Sequence, residues 1–132
     1  MNNKFDFLIF FIIKYKMIII IEKNYPLIVM IIDKFEDIEY KTFLKNLDYF
    51  SKKTQDDNCC LKLYIDIYKL DDNYSLNSLN NLVNELSGKY YPTLDKIKLF
   101  VNKEKISYIL KSYLNLTDYI DLIELNKKKE WR

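Results

Sequence analysis

Apolar positions change their period several times along the chain. Met17–Glu22 (MIIIIE) is a short β-branched run, Lys23-Asn24-Tyr25-Pro26 interrupts it, and a second apolar run, Leu27–Asp33 (LIVMIID), follows. Two such runs around a short Asn/Pro connector predict an antiparallel hairpin. The second run has no polar alternation, as expected of a strand buried on both faces in mid-sheet. From about Glu36 to Lys52 the period becomes helical, and Tyr40, Phe43, Leu44, Leu47 and Phe50 share one face. Glu36, Asp37 and Glu39 stand in the first turn and Lys52 and Lys53 at the end, the polarity a helix dipole favours. Thr54–Asn58 (TQDDN) reads as a turn-rich loop.

Period two then returns. Leu61, Leu63, Ile65 and Ile67 alternate with Lys62, Tyr64, Asp66 and Tyr68, which predicts a strand with one apolar face. A loop at Leu70–Tyr74 leads to a helix from about Ser75 to Ser87, with Leu76, Leu79, Val83 and Leu86 on one side. Asn73 or Ser75 suits its N-cap, and Gly88, the only glycine, falls where a left-handed C-terminal cap belongs. Pro92 stops any continuation. Lys96–Val101 (KIKLFV) is a strand and Lys103–Leu114 a helix, with Ile106, Ile109, Leu110, Tyr113 and Leu114 on its inner face. Tyr119–Leu125 (YIDLIEL) is a last strand, and Asn126–Arg132 (NKKKEWR) a basic tail expected to fray or form a short helical turn. The order β-β-α-β-α-β-α-β predicts an α/β fold: a mixed sheet of about five strands with three crossover helices and an antiparallel first strand at or near an edge.

Length and composition narrow the chemistry. A chain of 132 residues forms one domain, and 49% hydrophobic residues exclude disorder for most of it. The net charge of +2 is too small for a polyanion-binding footprint over the whole domain. Histidine is absent, which removes the usual general base, the commonest metal ligand and any Ser–His or Cys–His dyad. A single glycine excludes the phosphate-cradling glycine loops. The chain holds 20 Lys to one Arg, 18 Ile, 13 Asn and no Ala, the mark of an A/T-rich genome, so a single Lys or Asn carries little meaning. Adjacent Cys59 and Cys60 would need a strained bridge, and two thiols without His make a poor zinc site. They read as reduced thiols in a reducing, cytoplasmic compartment.

Phe5–Ile21 is apolar, but Lys14 and Lys16 interrupt it, each costing roughly 2.5–3.5 kcal/mol near a bilayer centre. The uninterrupted run Phe7–Ile13 is far shorter than the ~20 residues of a spanning helix. Residues 1–16 are therefore read as an apolar extension or an extra edge element, 17–125 as the α/β domain and 126–132 as the tail. Membrane attachment through residues 1–21 is the less favoured alternative.

Ligands of open α/β sheets sit outside the C-terminal ends of the strands. Asp33 ends the second strand, and Asp71 and Asp72 follow the third; together they could hold Mg²⁺ with substrate phosphates. The plainer reading makes them ordinary loop and cap residues. Asp56 and Asp57 read as a solvated turn at the opposite end, and Asp66, beside Lys62, Tyr64 and Tyr68, as a water-facing residue. Lys127–Lys129, Trp131 and Arg132 could meet phosphates, but read better as a solubilising end. The twelve Tyr and eight Phe read as core and half-buried strand residues, with no aromatic pair on one exposed sheet face. Nucleic acid is thus a disfavoured partner.

The hairpin MIIIIE…LIVMIID, the helix DIEYKTFLKNLDYF, the strand LKLYIDIY with its capped helix, and KIKLFV-helix-YIDLIEL together resemble the STAS-like group, the anti-sigma-factor-antagonist and SpoIIAA-like domains. The resemblance is one of architecture over Met17–Leu125; a divergent CRAL-TRIO-like module shares part of the order. It implies a non-enzymatic domain that binds a protein partner and uses no cofactor. Regulatory members of that group carry a phosphorylated Ser in an Asp-Ser-Ser-Gly stretch at the second helix. Ser75 in Asp72-Asn73-Tyr74-Ser75 is the nearest match here, without the Ser pair or the Gly. The alternative is a Mg²⁺-dependent phosphate-processing enzyme at Asp33, Asp71 and Asp72.

A chain beginning at Met17 is expected to fold and stay soluble at least as well as the full one, because residues 5–13 carry apolar surface the repeated unit does not need. Circular dichroism checks this, and an unfolded shortened chain would place the segment in the core.

Overall fold

The computed structural model describes residues 18–33, 37–70, 81–82, 84–86, 88, 94–106 and 120–131. Strands β1 (Ile18–Ile21), β2 (Leu27–Ile32), β3 (Leu61–Asp66), β4 (Leu94–Asn102) and β5 (Ile120–Leu125) form one sheet, and helix α1 (Asp37–Asp56) joins β2 to β3. Residues 81–82 and 84–86 are also helical. The strands lie in chain order, β1-β2-β3-β4-β5, with β1 antiparallel to β2 and every other neighbouring pair parallel. The protein is thus α/β with a five-stranded mixed sheet whose antiparallel strand stands at the edge, as the β-branched hairpin runs predict.

Register explains the layering. Ile28 lies opposite Leu63, Met30 opposite Ile65, Leu63 opposite Ile97, and Ile65 opposite Leu99. Alternation puts all of these on one face of the sheet. They belong to the same buried cluster as Phe43, Leu47 and Phe50 of α1 and Leu82 and Leu86 of the second helical stretch. Val29 and Phe100, of opposite phase, are buried yet stand outside that cluster. Both described helices therefore cover one face, and a different set of side chains covers the other. At β2, Ile28, Met30 and Ile32 are fully buried, whereas Leu27 and Ile31 on the second face are half-buried.

Three local expectations change. First, α1 runs to Asp56, past the expected end at Lys52, so Thr54–Asp56 is helix rather than loop. Thr54 is fully buried, and its hydroxyl donates back to the carbonyls of Phe50 and Ser51, each at 2.9 Å, so a polar residue is tolerated in the last turn. The helix ends at Asn58, which adopts φ 57°; the Cys59 amide bonds to the Thr54 carbonyl at 2.9 Å and the Asn58 amide to that of Gln55 at 3.1 Å. These are the paired bonds of a left-handed helix end.

Second, Gly88 is not in the left-handed region. Its amide makes a helix-type bond to the Asn84 carbonyl at 3.0 Å, so the chain is still winding right-handed there. Third, Lys103–Lys105, where the next helix is expected to start, form a turn, and the Ile106 amide then makes a helix-type bond to the Asn102 carbonyl at 3.2 Å. The Asn102 side chain accepts from the Glu104 amide at 2.9 Å, and its carbonyl accepts from Lys105 at 3.0 Å, which closes the turn. The rest of that expected helix, including Ile109, Leu110, Tyr113 and Leu114, lies outside the described residues, as do Asn73, Leu76, Leu79 and Val83. Residues 1–16 lie outside them too. Leu82, fully buried, was not among the positions assigned to the inner face.

Leu47 stands with no exposure at the centre of α1. Leu47→Ala is expected to cost ~2–5 kcal/mol, the range for a buried leucine whose cavity cannot fully collapse. A denaturant midpoint that barely moves would show that α1 does not pack through this face.

Candidate interaction surface

The second face of the sheet is organised by one buried carboxylate. Asp66, at the end of β3, is 2% exposed. A lone buried carboxylate is costly, so each oxygen needs a donor. Oδ1 accepts the Tyr68 amide at 2.8 Å, and Oδ2 accepts the indole Nε1–H of Trp131 at 2.6 Å. Asp66 is therefore not water-facing, and the tail is not simply frayed. After β5 the chain passes back over the sheet, held by the Tyr68 hydroxyl donating to the Asn126 carbonyl at 3.3 Å and then by Trp131. Residues 126–130 between these fastenings are exposed. The signal for this contact was faint: one tryptophan near the C-terminus, and one acidic residue in a strand whose alternation alone made it polar.

Around Trp131 the rings gather. Tyr64 and Phe100 lie 5.6 Å apart between centroids, Phe100 meets Trp131 edge-to-face at 5.0 Å, and Tyr64 lies 6.1 Å from Trp131. An aromatic group thus does mark this sheet face, against the expectation that none would. Strand spacing brings the residues together: Tyr64 stands directly opposite Lys98, and Asp66 opposite Phe100. Lys98 Nζ lies 5.3 Å over the Tyr64 ring, and Lys129 Nζ lies 5.1 Å over that of Trp131. Lys62 faces Lys96 across the same strands, and Lys96 reaches Asp121 at 3.7 Å with both side chains 53% exposed.

Of the three carboxylates expected to gather, Asp33 alone is among the described residues. Asp33 follows β2, and its Oδ1 is buried without a hydrogen-bond partner. Asp71, Asp72 and the candidate phosphosite Ser75 lie outside the described residues. Among the described residues no group of three or more His, Cys, Asp or Glu side chains could hold a metal ion. The strand order does not reverse among the four parallel strands, so they form no switch-point crevice of the doubly wound kind.

At the opposite end of the sheet, Tyr25 donates to Asp57 Oδ2 at 2.6 Å and lies 3.8 Å from Cys59 Sγ. Lys53 Nζ stands 4.9 Å over its ring. Desolvation, then the hydrogen bond to the Asp57 carboxylate, raises the Tyr25 hydroxyl well above the usual phenol range. Asp57 is exposed but serves as an acceptor rather than a wholly solvated turn residue. Cys59 is half-buried and Cys60 exposed, and both are free thiols. Among the described residues no helix is long and apolar enough to cross a membrane.

Trp131→Phe keeps a ring at the site but removes the indole donor, so a loss of about 1–3 kcal/mol is expected from the stranded carboxylate. Asp66→Leu removes the other partner, and the double variant should be more stable than the two single losses predict. Denaturation of all four proteins checks this; strictly additive losses would show that the pair is not coupled.

Neither a family model, nor a curated protein, nor a solved structure matches the chain, so the functional reading rests on its own geometry.

Proposed function

We propose that this chain is a STAS-like interaction module of the cytoplasm, which holds a protein partner and catalyses no turnover. The observation that carries the reading is the one-sided layering. Both described helices pack on one sheet face, while on the other the described cover over the strand side chains is the strap ending at Trp131. Recognition needs such a surface and no catalytic parts. The consecutive strand order with an antiparallel edge hairpin supports the STAS-like architecture. The parallel β4–β5 pairing supports a third crossover helix, because parallel neighbours need a crossover of roughly a dozen residues or more. Ser75 is the position at which phosphorylation would regulate such a module.

One observation favours a second reading. The buried, unpartnered Asp33 Oδ1 at the C-terminal end of β2 is the kind of acceptor that a Mg²⁺ ion shared with Asp71, Asp72 and a substrate phosphate would satisfy. Calorimetric titration with Mg²⁺ and Mn²⁺, paired with thermal shift, separates the two. The module is expected to show no saturable binding. Saturable binding that disappears in Asp33→Asn would replace it with the metal-dependent enzyme.

A further inference from the structure

The second sheet face combines two features that serve the same class of ligand. The first is positive charge that is only partly offset. Lys62 and Lys96 stand directly opposite one another, with Lys98 two residues further along β4. Like charges in direct cross-strand register repel. Among the described residues, Asp121 stands directly opposite Lys98 and also reaches Lys96 through a half-exposed contact, so it offsets part of this charge, and solvent weakens that offset. Asp66 shares the face but is buried and committed to Trp131 and Tyr68. The chain's net charge of +2 therefore conceals a local basic patch.

The second feature is the outward presentation of two ring faces. A lysine ammonium stays in water where it can. The ammonium groups standing 5.3 Å over Tyr64 and 5.1 Å over Trp131 therefore mark ring faces that look away from the core. Both rings are half-buried, while Phe100, 6% exposed, is the buried member of the cluster.

We propose that the β3–β4 face binds single-stranded nucleic acid with little sequence preference. Bases stack on Tyr64 and Trp131, displacing the two ammonium groups, and Lys62, Lys98 and Lys129 turn to the phosphates. Every base has a π-face, so stacking tolerates any sequence, and the lysines supply the charge that tracks a phosphate backbone. A duplex hides its base faces in its own stack and would leave the rings unused. An acidic peptide would engage the lysines but does not carry an aromatic face at every repeat unit to stack on the rings. The inference goes beyond the protein-partner reading and assigns the same sheet face a different occupant.

Trp131 is the only tryptophan, so its emission reports stacking directly. The full chain is titrated at low salt with an oligothymidylate of about 15 nucleotides, within the ~4–16 nucleotides of small single-strand sites. Saturable quenching is expected, with log K falling as log salt rises by roughly 0.7 per phosphate contact. Tyr64→Leu should weaken binding about tenfold and leave the salt slope unchanged. Lys62→Glu should weaken binding and flatten the slope while leaving the fold intact, because it places a carboxylate opposite Lys96. Circular dichroism of each variant confirms folding, and a Lys98→Gln chain provides a second charge variant.

Absence of saturable quenching overturns the proposal, as does unchanged affinity in folded Lys62→Glu and Lys98→Gln. Duplex binding as tight as the single strand would show simple electrostatic attraction. Tighter binding of poly-L-glutamate would assign the face to an acidic protein segment instead. None of these failures touches the Mg²⁺ titration, which tests the interaction-module reading separately.

Discussion

Parallel strands laid down in chain order, each joined to the next by a right-handed crossover, send every connection over the same side of the sheet. The consequences are visible in the burial pattern: α1 and the helical residues near Leu82 and Leu86 share one core with the strand residues of a single phase. A doubly wound sheet reverses its order and acquires helices on both faces. Here the order runs β1 to β5 without reversal, and the second face must find other cover.

That need explains the buried carboxylate. Asp66 lies in the central strand, on the face away from the described helices, and is 2% exposed. The tail supplies both a lid and a donor, since Trp131 brings a large ring and one N–H in the same side chain. The order of cause matters. The indole reaches Asp66 and Phe100 because the chain, on leaving β5, turns back across β4 toward β3, and the Tyr68 contact to Asn126 holds it in that direction.

Much of the fold was legible in the residues. β-branched runs around Lys23–Pro26 marked the hairpin, the 3.6 period of Phe43, Leu47 and Phe50 marked α1, and strict alternation at Leu61–Ile67 marked the inner face of β3. The extent of α1 was less legible. Thr54, Gln55 and Asp56 have loop-like composition, but Thr54 is buried with its hydroxyl turned onto its own helix, and the Asn58 and Cys59 amides cap the turn. Gly88 shows a related limit: a glycine permits a left-handed cap without requiring one, while at the end of α1 a non-glycine, Asn58, adopts that conformation.

The candidate surface was scarcely legible. Alternation showed that Lys62, Tyr64 and Asp66 share a face, because period two is a property of the strand itself. It did not show that Phe100 and Lys98 would stand beside them, because cross-strand neighbours depend on register between segments more than thirty residues apart. Nor did it show the contact from Trp131 to Asp66, a separation of 65 residues. By itself the sequence determined the period of each element, the phase of its apolar side and the absence of histidine and glycine chemistry, all of which are local or compositional. Tertiary structure decided which polar residue was buried and which aromatic groups met. Those outcomes follow from pairing register and from the path of the tail, which no short window of the chain contains.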